Sequence, residues 1–350
     1  MADAHFPVLD RIAYLNAGAV GPLSSHTHEA MAEAERRSLE DGRGGHGTWQ
    51  ARIDARQSLR ERLATLIGVP PTKLAITAST TEGCSIVLGG FGLGPGDEVI
   101  TSDAEHPALT WTLPATGAVI KEAEVLGRTD AEVIDAVAAL VTDRTRLIAL
   151  SHVLWLNGQV LPIAGIKART GLPMLVDGAQ SVGAIDVDAT QADYYTVSGQ
   201  KWLCGPELTG ALYVADPRSL RPRRVVQGEQ SHVDPDEAAS LELLFHPASL
   251  IAGLLAALED RPADAAERGA AMTAYCRDAL LAAGVEVLTA PGQSRLVAFR
   301  VPGDSNEAVE RCQERGVTLR AVPNGSLRAS CGWWNRESDI DRLAEVVRGL

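Results

Sequence analysis

The sequence predicts an α/β fold: a large domain with a mostly parallel sheet between layers of helices, followed by a smaller α+β C-terminal domain. Apolar runs of strand length alternate with helical patterns from residue 73 to 214, which is typical of a parallel sheet with helices on both faces. Residues 261–350 instead mix helices with strands. The 350 residues also exceed what one hydrophobic core usually organises, so two domains are expected.

The predicted organisation has three segments. Residues 1–25 form an irregular arm associated with the small domain, residues 26–240 form the large domain, and residues 241–350 form the small domain. Residues 26–66 have helical spacing with a polar break, DGRGGHGTW, which either reaches across a dimer interface or is simply a loop. After residues 217–223 the composition becomes loop-like through GEQSHVDPDEAAS (228–240), as expected of a hinge or a dimer loop.

The individual elements follow from short patterns bounded by polar and glycine residues. The predicted strands are 73–77, 99–101, 146–150, 173–176, 194–197 and 294–299. The predicted helices include 130–141, where the spacing is amphipathic, and 247–260. The glycine-rich stretch GGFGLGPGDEV follows a helix and precedes a strand, the reverse of the order in a dinucleotide-binding motif, so it is interpreted as a turn.

The bulk composition limits the possible functions. A net charge of −13 and a pI of about 5.1 argue against binding to nucleic acid or to an anionic membrane surface. No run approaches the roughly 18–20 apolar residues that cross a bilayer, and the N-terminus does not resemble a secretory signal, so a cytoplasmic location is expected. The five cysteines form no CxxC pair, which favours reduced thiols over disulfides or a zinc site; no metal site is predicted.

Polar side chains follow two neighbouring strands of the predicted sheet. Asp177 and Gln180 come after the strand at 173–176, and Ser198 and Lys201 come after the strand at 194–197. Because ligands bind at the carboxyl ends of strands in an open α/β sheet, these side chains are expected to meet at one edge. A lysine, an anion and several hydrogen-bond donors are what pyridoxal phosphate needs from a protein. A surface lysine and a capping aspartate are the alternative.

A second group of small polar residues follows the predicted strand at 73–77. Thr80 and Thr81 stand between that strand and an apolar helical run, CSIVLGG. A strand followed by small polar residues and a helix presents free backbone N–H groups, which bind phosphate. An ordinary helix N-cap is the alternative. With Lys201 nearby in the predicted fold, the phosphate interpretation is preferred.

These motifs resemble those of the class V aminotransferase (cysteine desulfurase-like) family of pyridoxal 5′-phosphate (PLP) enzymes. The resemblance rests on Asp177-x-x-Gln180, on Ser198-x-Gln200-Lys201 and on a following Gly-Pro turn, and it covers nearly the whole chain. Within the family the sequence is most similar to L-cysteine/cystine C–S lyases, through runs such as SHVLWLNGQVLP and KWLCGP. The resemblance implies the PLP-dependent transferase fold type I, PLP as cofactor and a homodimer.

The resemblance also implies roles for individual residues. Lys201 would bond the PLP aldehyde, Asp177 would pair with the ring nitrogen, and His106 would stack on the ring. The implied phosphate and phenolic-oxygen contacts come from Thr80, Thr81, Gln180, Ser198 and Gln200, the last in place of the family's histidine. The implied substrate contacts come from Arg328 on the α-carboxylate, a second arginine Arg320, the N-terminal Asn16 and Gly18, and Trp155, which stands where many desulfurases have asparagine.

Several of these assignments have structural alternatives. Asn16 and Gly18 would also suit a tight turn, Trp155 would also suit the core, and Arg328 would also suit a salt bridge. Phe245 falls where the family places a threonine from the partner subunit on the phosphate, so the cross-subunit contact is left open. A catalytically silent cofactor-binding or interaction protein is a further alternative. The retained lysine, aspartate and Gly-Pro turn argue against it, but the departures from the family pattern at Gln200, Trp155 and Phe245 keep it open.

The sequence lacks the nucleophilic thiol of a desulfurase. Residues 321–327 contain no cysteine, and Cys331 lies three residues after Arg328, on the opposite side of a regular strand. We therefore predict a PLP-dependent β-elimination lyase that cleaves the Cβ–S bond of cysteine, cystine or an S-substituted cysteine, releasing pyruvate, ammonia and a thiol or persulfide. Lys201 would be the general base. The alternatives are a desulfurase-like reaction that uses Cys331, or aminotransferase or epimerase activity on another amino acid.

Overall fold

The computed structural model describes residues 4–221, 234 and 236–350. Its α-helices are α1 (Ser25–Glu40), α2 (His46–Leu66), α3 (Thr80–Gly90), α4 (Pro107–Thr110), α5 (Asp130–Ala139), α6 (Ile163–Thr170), α7 (Ala248–Asp260), α8 (Ala265–Ala282), α9 (Ser305–Glu314) and α10 (Glu337–Arg348). Most of the loop predicted at 228–240 lies outside the described residues.

Six of the strands (β2, β3, β5, β6, β7 and β10 below) fall where the short apolar runs predict them. They are β1 (Ala13–Tyr14), β2 (Leu74–Thr77), β3 (Glu98–Ser102), β4 (Val119–Ala123), β5 (Thr145–Ser151), β6 (Met174–Asp177), β7 (Tyr194–Ser198), β8 (Gly210–Val214), β9 (Glu286–Val287), β10 (Leu296–Arg300), β11 (Val317–Thr318), β12 (Arg320–Ala321) and β13 (Leu327–Ser330).

A seven-stranded sheet forms the centre of the large lobe, in the order β2-β8-β7-β6-β5-β3-β4. The strands from β7 to β4 are parallel to one another, and β8 runs antiparallel to both of its neighbours. The strands β6, β7 and β8 are buried along their whole length, which explains their nearly continuous apolar sequences. The predicted α/β fold with a mostly parallel sheet is confirmed.

Both faces of this sheet are covered by helices. Along β5, Ile148 and Leu150 point into one core while Leu147 and Ala149 point into another, as the two-residue period of a strand requires. The first core is completed by residues of α2, α5 and α6, and the second by residues of α3 and α4.

The small lobe is an antiparallel sheet, β12-β13-β10-β9, packed against α8, α9 and α10. The N-terminal segment joins it, since β1 pairs with β11 and Leu15 lies in the same core. Helix α7, which follows the predicted boundary at residue 240, packs against α1 and contributes Ile251 and Leu254 to the core of the large sheet. The division at residue 240 itself stays a prediction.

Two absences concern only the described part of the chain. None of its helices combines the length and the apolar character that a membrane span requires. Nor do three or more of its His, Cys, Asp or Glu side chains form a group that could hold a metal ion.

Candidate active site

Lys201 and Asp177 meet at the carboxyl edge of the large sheet, as the sequence predicts. Asp177 is the last residue of β6, and Lys201 follows the end of β7 by three residues. Burial lowers the pKa of Lys201 to about 8; the charge of Asp177 opposes this effect, whereas Arg328 and Arg320 reinforce it. The amine is therefore partly neutral near neutral pH, which a nucleophile or a base requires.

The carboxyl group of Asp177 is buried at the end of β6, where it can accept hydrogen bonds. Burial raises the pKa of its carboxyl group, and the charge of Lys201 and a hydrogen bond from the amide of Ala179 (2.8 Å) lower it. The other three lysines of the chain lie elsewhere, and two of them pair with acids: Lys121 with Glu98, and Lys167 with Asp193. Lys201 is thus the lysine that lies beside Asp177.

Gly21 packs closely against the backbone around Lys201. The amide of Gly21 donates to the carbonyl of Gln200 (2.7 Å), and a Cβ at Gly21 would overlap the carbonyl oxygen of Lys201. The amide of Cys204 donates to that same carbonyl (3.2 Å), and Cys204 adopts a left-handed conformation with φ of 56°. Non-glycine residues rarely adopt this conformation, and such strain clusters at functional turns.

His106 is the N-cap residue of α4 and lies close to Lys201. Its Nδ1 accepts a hydrogen bond from the amide of Ala108 (3.2 Å), so the proton of the neutral ring is on Nε2. Burial, and secondarily the charges of Lys201, Arg320 and Arg328, lower its pKa to about 4. The imidazole is therefore uncharged at neutral pH, a state suited to stacking rather than to donating a proton as an imidazolium.

The predicted phosphate residues gather where α3 begins. Oγ1 of Thr80 is buried without a hydrogen-bond partner, and Thr81 is exposed. Ser79 caps the helix, so the amides of Thr80 and Thr81 are the first two of α3 and have no acceptor within the helix. These N–H groups, the orphaned hydroxyl and the positive end of the helix fit an anion such as phosphate.

Ser198 and Gln200 lie close to this helix end. Ser198 pairs with Gly210 in the sheet, and a Cβ at Gly210 would stand 3.2 Å from the Cα of Ser79. Oγ of Ser198 donates to Oε1 of Gln200 (3.0 Å). This bond engages Oε1 of the Gln200 amide and leaves its NH₂ group as a donor. The predicted contact between Gln200 and phosphate needs such a donor.

Gln180 is locked by two hydrogen bonds. Its Nε2 donates to the carbonyl of Gly18 (2.8 Å), and its Oε1 accepts from Nε1 of Trp202 (3.0 Å). One N–H of the Gln180 amide remains available, as the predicted contact with the phenolic oxygen of PLP requires. The sequence did not point to Trp202, although it follows Lys201 directly.

Arg328 is a fully buried cation that forms no ion pair with a carboxylate among the described residues. Its Nη1 donates to the carbonyl of Trp155 (2.6 Å), while Nε and Nη2 have no partner in the same part of the chain. These two groups share one side of the guanidinium and form the fork that binds a carboxylate through two parallel bonds. Burial, and secondarily Arg320, lower its pKa to about 9. Because an unpaired buried charge is costly, the fork indicates an anionic ligand.

The remaining predicted substrate residues surround this fork. A Cβ at Gly18 would lie 2.6 Å from Nη2 of Arg328, so glycine is required for the approach. Trp155 contacts His106 edge to face, with 5.1 Å between the ring centroids, and the guanidinium of Arg320 lies 5.8 Å from its ring centroid. Oδ1 of Asn16 and Nε1 of Trp155 are also buried without partners.

The sequence did not single out Glu105. Its buried carboxylate accepts hydrogen bonds from Oγ of Ser102 (2.6 Å) and from the amide (3.0 Å) and Oγ (2.5 Å) of Ser151, which pairs with Asp177 in the sheet. Burial, opposed by these hydrogen bonds and reinforced by the charge of Asp177, raises its pKa to about 7. The bonds anchor the loop that carries His106. In the sequence, the signal that could have pointed to Glu105 is its position directly before His106.

Cys331 and Phe245, two residues that the sequence left open, lie away from this group. Cys331 is buried in the core of the small lobe next to Cys276, and this contact together with burial raises its pKa well above the usual value. Phe245 is 65% exposed and packs edge to face on Trp49, 5.8 Å between ring centroids.

Comparison with known proteins places the chain in a family. Residues 13–343 match the sequence model described as aminotransferase class-V. Isopenicillin N epimerase from Amycolatopsis lactamdurans is 30% identical over 97% of this chain and 95% of its own length. A probable cysteine desulfurase from Halobacterium salinarum is 30% identical over 98% of this chain and 94% of its own length.

Solved structures agree with the sequence matches. The cystine C–S lyase C-DES in complex with its reaction product, cysteine persulfide, has a TM-score of 0.91 at 28% identity, covering 98% of this chain and 99% of that one. A C-DES variant with glycine covalently linked to its PLP cofactor has a TM-score of 0.89 at 28% identity, covering 98% of both chains. Fold and site therefore define an α/β enzyme of the PLP-dependent class. The chain belongs to the class V aminotransferase family, which confirms the resemblance and supports PLP as its cofactor.

Proposed function

We propose that this enzyme is a PLP-dependent lyase that cleaves the Cβ–S bond of cysteine, cystine or an S-substituted cysteine. The observation that carries the proposal is the burial of all five thiols of the chain. A desulfurase transfers sulfur to an accessible nucleophilic cysteine, and Cys331, the nearest along the chain to Arg328, lies in the core of the small lobe. Elimination needs no thiol from the protein.

The donor set at the sheet edge fits PLP. Lys201 would bond the aldehyde, Asp177 would accept from the ring nitrogen, and His106 would face the ring. The other contacts would come from Gln180 on the phenolic oxygen and, on the phosphate, from Thr80, Thr81, Ser198, Gln200 and the first amides of α3. The orphaned hydroxyl of Thr80 supports this fit because a buried polar atom without a partner costs free energy. When bound, PLP supplies an electron sink that stabilises negative charge at Cα.

The side chains of the protein supply binding and proton transfer. Arg328 would hold the α-carboxylate with Nε and Nη2, fixing the direction of the Cα–H bond. Nζ of Lys201 would then take the Cα proton as general base, since its lowered pKa keeps part of the amine neutral near pH 7–8. The indole of Trp155 would exclude water from the sulfur side of the pocket. Loss of the sulfur group would lead to pyruvate and ammonia.

An epimerase is the second candidate. It is favoured by the match to isopenicillin N epimerase over 97% of this chain. Epimerisation starts with the same proton abstraction by Lys201 but returns a proton to the opposite face of Cα. We propose a homodimer and a cytoplasmic location for either enzyme, both from the family resemblance and the composition.

Product analysis without a keto acid tests the proposal. The PLP-loaded enzyme is incubated with L-cystine, L-cysteine and S-methyl-L-cysteine, and pyruvate is followed with lactate dehydrogenase. A lyase forms pyruvate from at least one of them. Inversion at Cα without pyruvate would indicate the epimerase, and a requirement for a keto acid would indicate an aminotransferase. Cys331→Ser is the control: loss of sulfur release in this variant would contradict the lyase.

A further inference from the structure

The side chain of Gln180 lies between a group that can only donate and a group that can only accept. On one side, Nε1–H of Trp202 donates to Oε1 of Gln180 (3.0 Å). On the other side, Nε2 of Gln180 donates to the carbonyl of Gly18 (2.8 Å). An indole N–H accepts nothing and a carbonyl donates nothing, so the amide satisfies both partners in one orientation only. Both bonds are buried, which makes the loss of either one costly.

Trp202 is joined directly to Lys201 in the chain and is held tightly. Its side chain is only 1% exposed. Gly183, with φ of 88°, packs against its backbone, and a Cβ at Gly183 would stand 3.0 Å from the carbonyl carbon of Trp202. A residue so confined cannot move independently of its neighbour in the chain. The same turn therefore carries Lys201 and holds the amide of Gln180.

A second tryptophan in the same core isolates the effect of this hydrogen bond. Trp202 and Trp334 belong to one hydrophobic cluster, with 6.4 Å between their ring centroids. Trp334 is 6% exposed, and its Nε1–H has no hydrogen-bond partner among the described residues. The two side chains thus share their packing and differ in the hydrogen bond.

We propose that Trp202 is a positioning residue, which holds the Gln180 amide so that its free N–H faces the phenolic oxygen of PLP. A donor at this position stabilises negative charge on that oxygen. It therefore favours loss of the proton from the nitrogen that joins Lys201 to the cofactor, because the oxygen then has no cationic neighbour. The inference rests on the part of the proposed function that assigns Gln180 to the phenolic oxygen, and it holds for a lyase and an epimerase alike.

The visible absorption of bound PLP tests the proposal without requiring turnover. The long-wavelength band belongs to the protonated form, so its pH titration gives the midpoint at which half of the bound cofactor has lost the proton. Trp202→Phe keeps an aromatic ring and removes the N–H. This variant should raise the midpoint by about 0.5–1 pH unit, or about three- to tenfold in proton affinity, as expected for the loss of one neutral hydrogen bond.

Trp334→Phe is the matched control, because it makes the same change in the same core without breaking a hydrogen bond to a described residue. Its midpoint should stay within about 0.2 pH unit of wild type. Equal midpoints in the two variants would overturn the proposal, as would a wild-type spectrum that keeps the protonated band up to about pH 10. If Trp202→Phe fails to fold, Trp202→benzothienylalanine, which replaces the N–H with sulfur and keeps the shape of the ring, should give the same shift.

A double variant shows whether Trp202 acts through Gln180. Gln180→Met removes the amide and should raise the midpoint by about one pH unit. Adding Trp202→Phe to it should change the midpoint by less than about 0.2 pH unit, because the hydrogen bond between the two side chains is already absent. Additive shifts in the double variant would contradict the proposal.

Turnover separates this inference from the proposed function. If the midpoint rises in Trp202→Phe alone and no sulfur amino acid gives pyruvate, the lyase is refuted and the positioning role stands. If pyruvate forms and Trp202→Phe has the same midpoint as Trp334→Phe, the positioning role is refuted and the lyase stands.

Discussion

Replacing Arg328 with lysine tests whether the buried guanidinium binds the substrate carboxylate. The side chain is fully buried on β13, and its Nε and Nη2 are the two donors that lack a partner. Lysine keeps the positive charge but presents a point charge instead of a planar fork. It also loses the tether from Nη1 to the carbonyl of Trp155. The variant should therefore bind the cofactor normally and bind amino acids poorly.

The magnitude follows from the bonds that are lost. A hydrogen bond to a charged group contributes roughly 1.5–3 kcal/mol. Loss of one of two parallel bonds, together with the misplacement of the remaining charge, should cost about 3 kcal/mol in the transition state, which is roughly a 100-fold lower kcat/KM. KM should rise at least as much as kcat falls, since the carboxylate is bound in both ground and transition states.

Steady-state kinetics with the best thiol-releasing substrate provides the assay. Arg300→Lys is the matched control, because Arg300 lies on the neighbouring β10 but is exposed and paired with Glu286 (3.0 Å). The control should keep wild-type kinetics, and both variants should keep the visible absorption of bound PLP. A value of kcat/KM for Arg328→Lys within about threefold of wild type would refute carboxylate binding by Arg328.

Three further perturbations test other parts of the site. Gly18→Ala places a Cβ about 2.6 Å from Nη2 of Arg328 and should lower kcat/KM about tenfold or more with PLP absorption unchanged; unaltered kinetics would contradict the close approach. Cys331→Ser should leave pyruvate formation and sulfur release within about twofold of wild type, because the thiol lies in a separate core; loss of sulfur release would identify it as a nucleophile. The rate at which the apoenzyme recombines with PLP should rise about tenfold per pH unit up to about pH 8 and then level off, as the neutral Lys201 amine increases. Asp177→Asn removes the charge that raises this pKa and should move the inflection to lower pH; an inflection near pH 10 in the wild type would contradict the lowered pKa.

The features that sequence predicted best are local. The buried runs at β6 and β7 are too short for helices and too apolar for loops, so their ends, and with them Asp177 and Lys201, could be placed at one edge of a sheet. Thr80 could be predicted for the same reason, because a strand followed by small polar residues and a helix is a pattern that spans about ten residues.

The features that sequence missed depend on contacts between distant segments. Ser151 donates to Glu105 from 46 residues away, and Gly18 donates its amide to Oγ of Ser330 from 312 residues away. The sequence did not single out Trp202, and only the fold reveals that its indole donates to Gln180. Periodicity and motif spacing carry no information on such pairs, because they are set by how segments that are distant in sequence pack against one another.

The most direct test is to find the lysine that bonds the cofactor. The chain has four lysines, at positions 73, 121, 167 and 201, so the assignment by peptide mass spectrometry is unambiguous. The PLP-loaded enzyme is reduced with borohydride, digested and mapped, alongside Lys201→Ala. We expect the pyridoxyl mass on the peptide that contains Lys201, and neither labelling nor pyruvate formation in the variant. A label on another lysine, or an equally active Lys201→Ala enzyme, would contradict the proposed site.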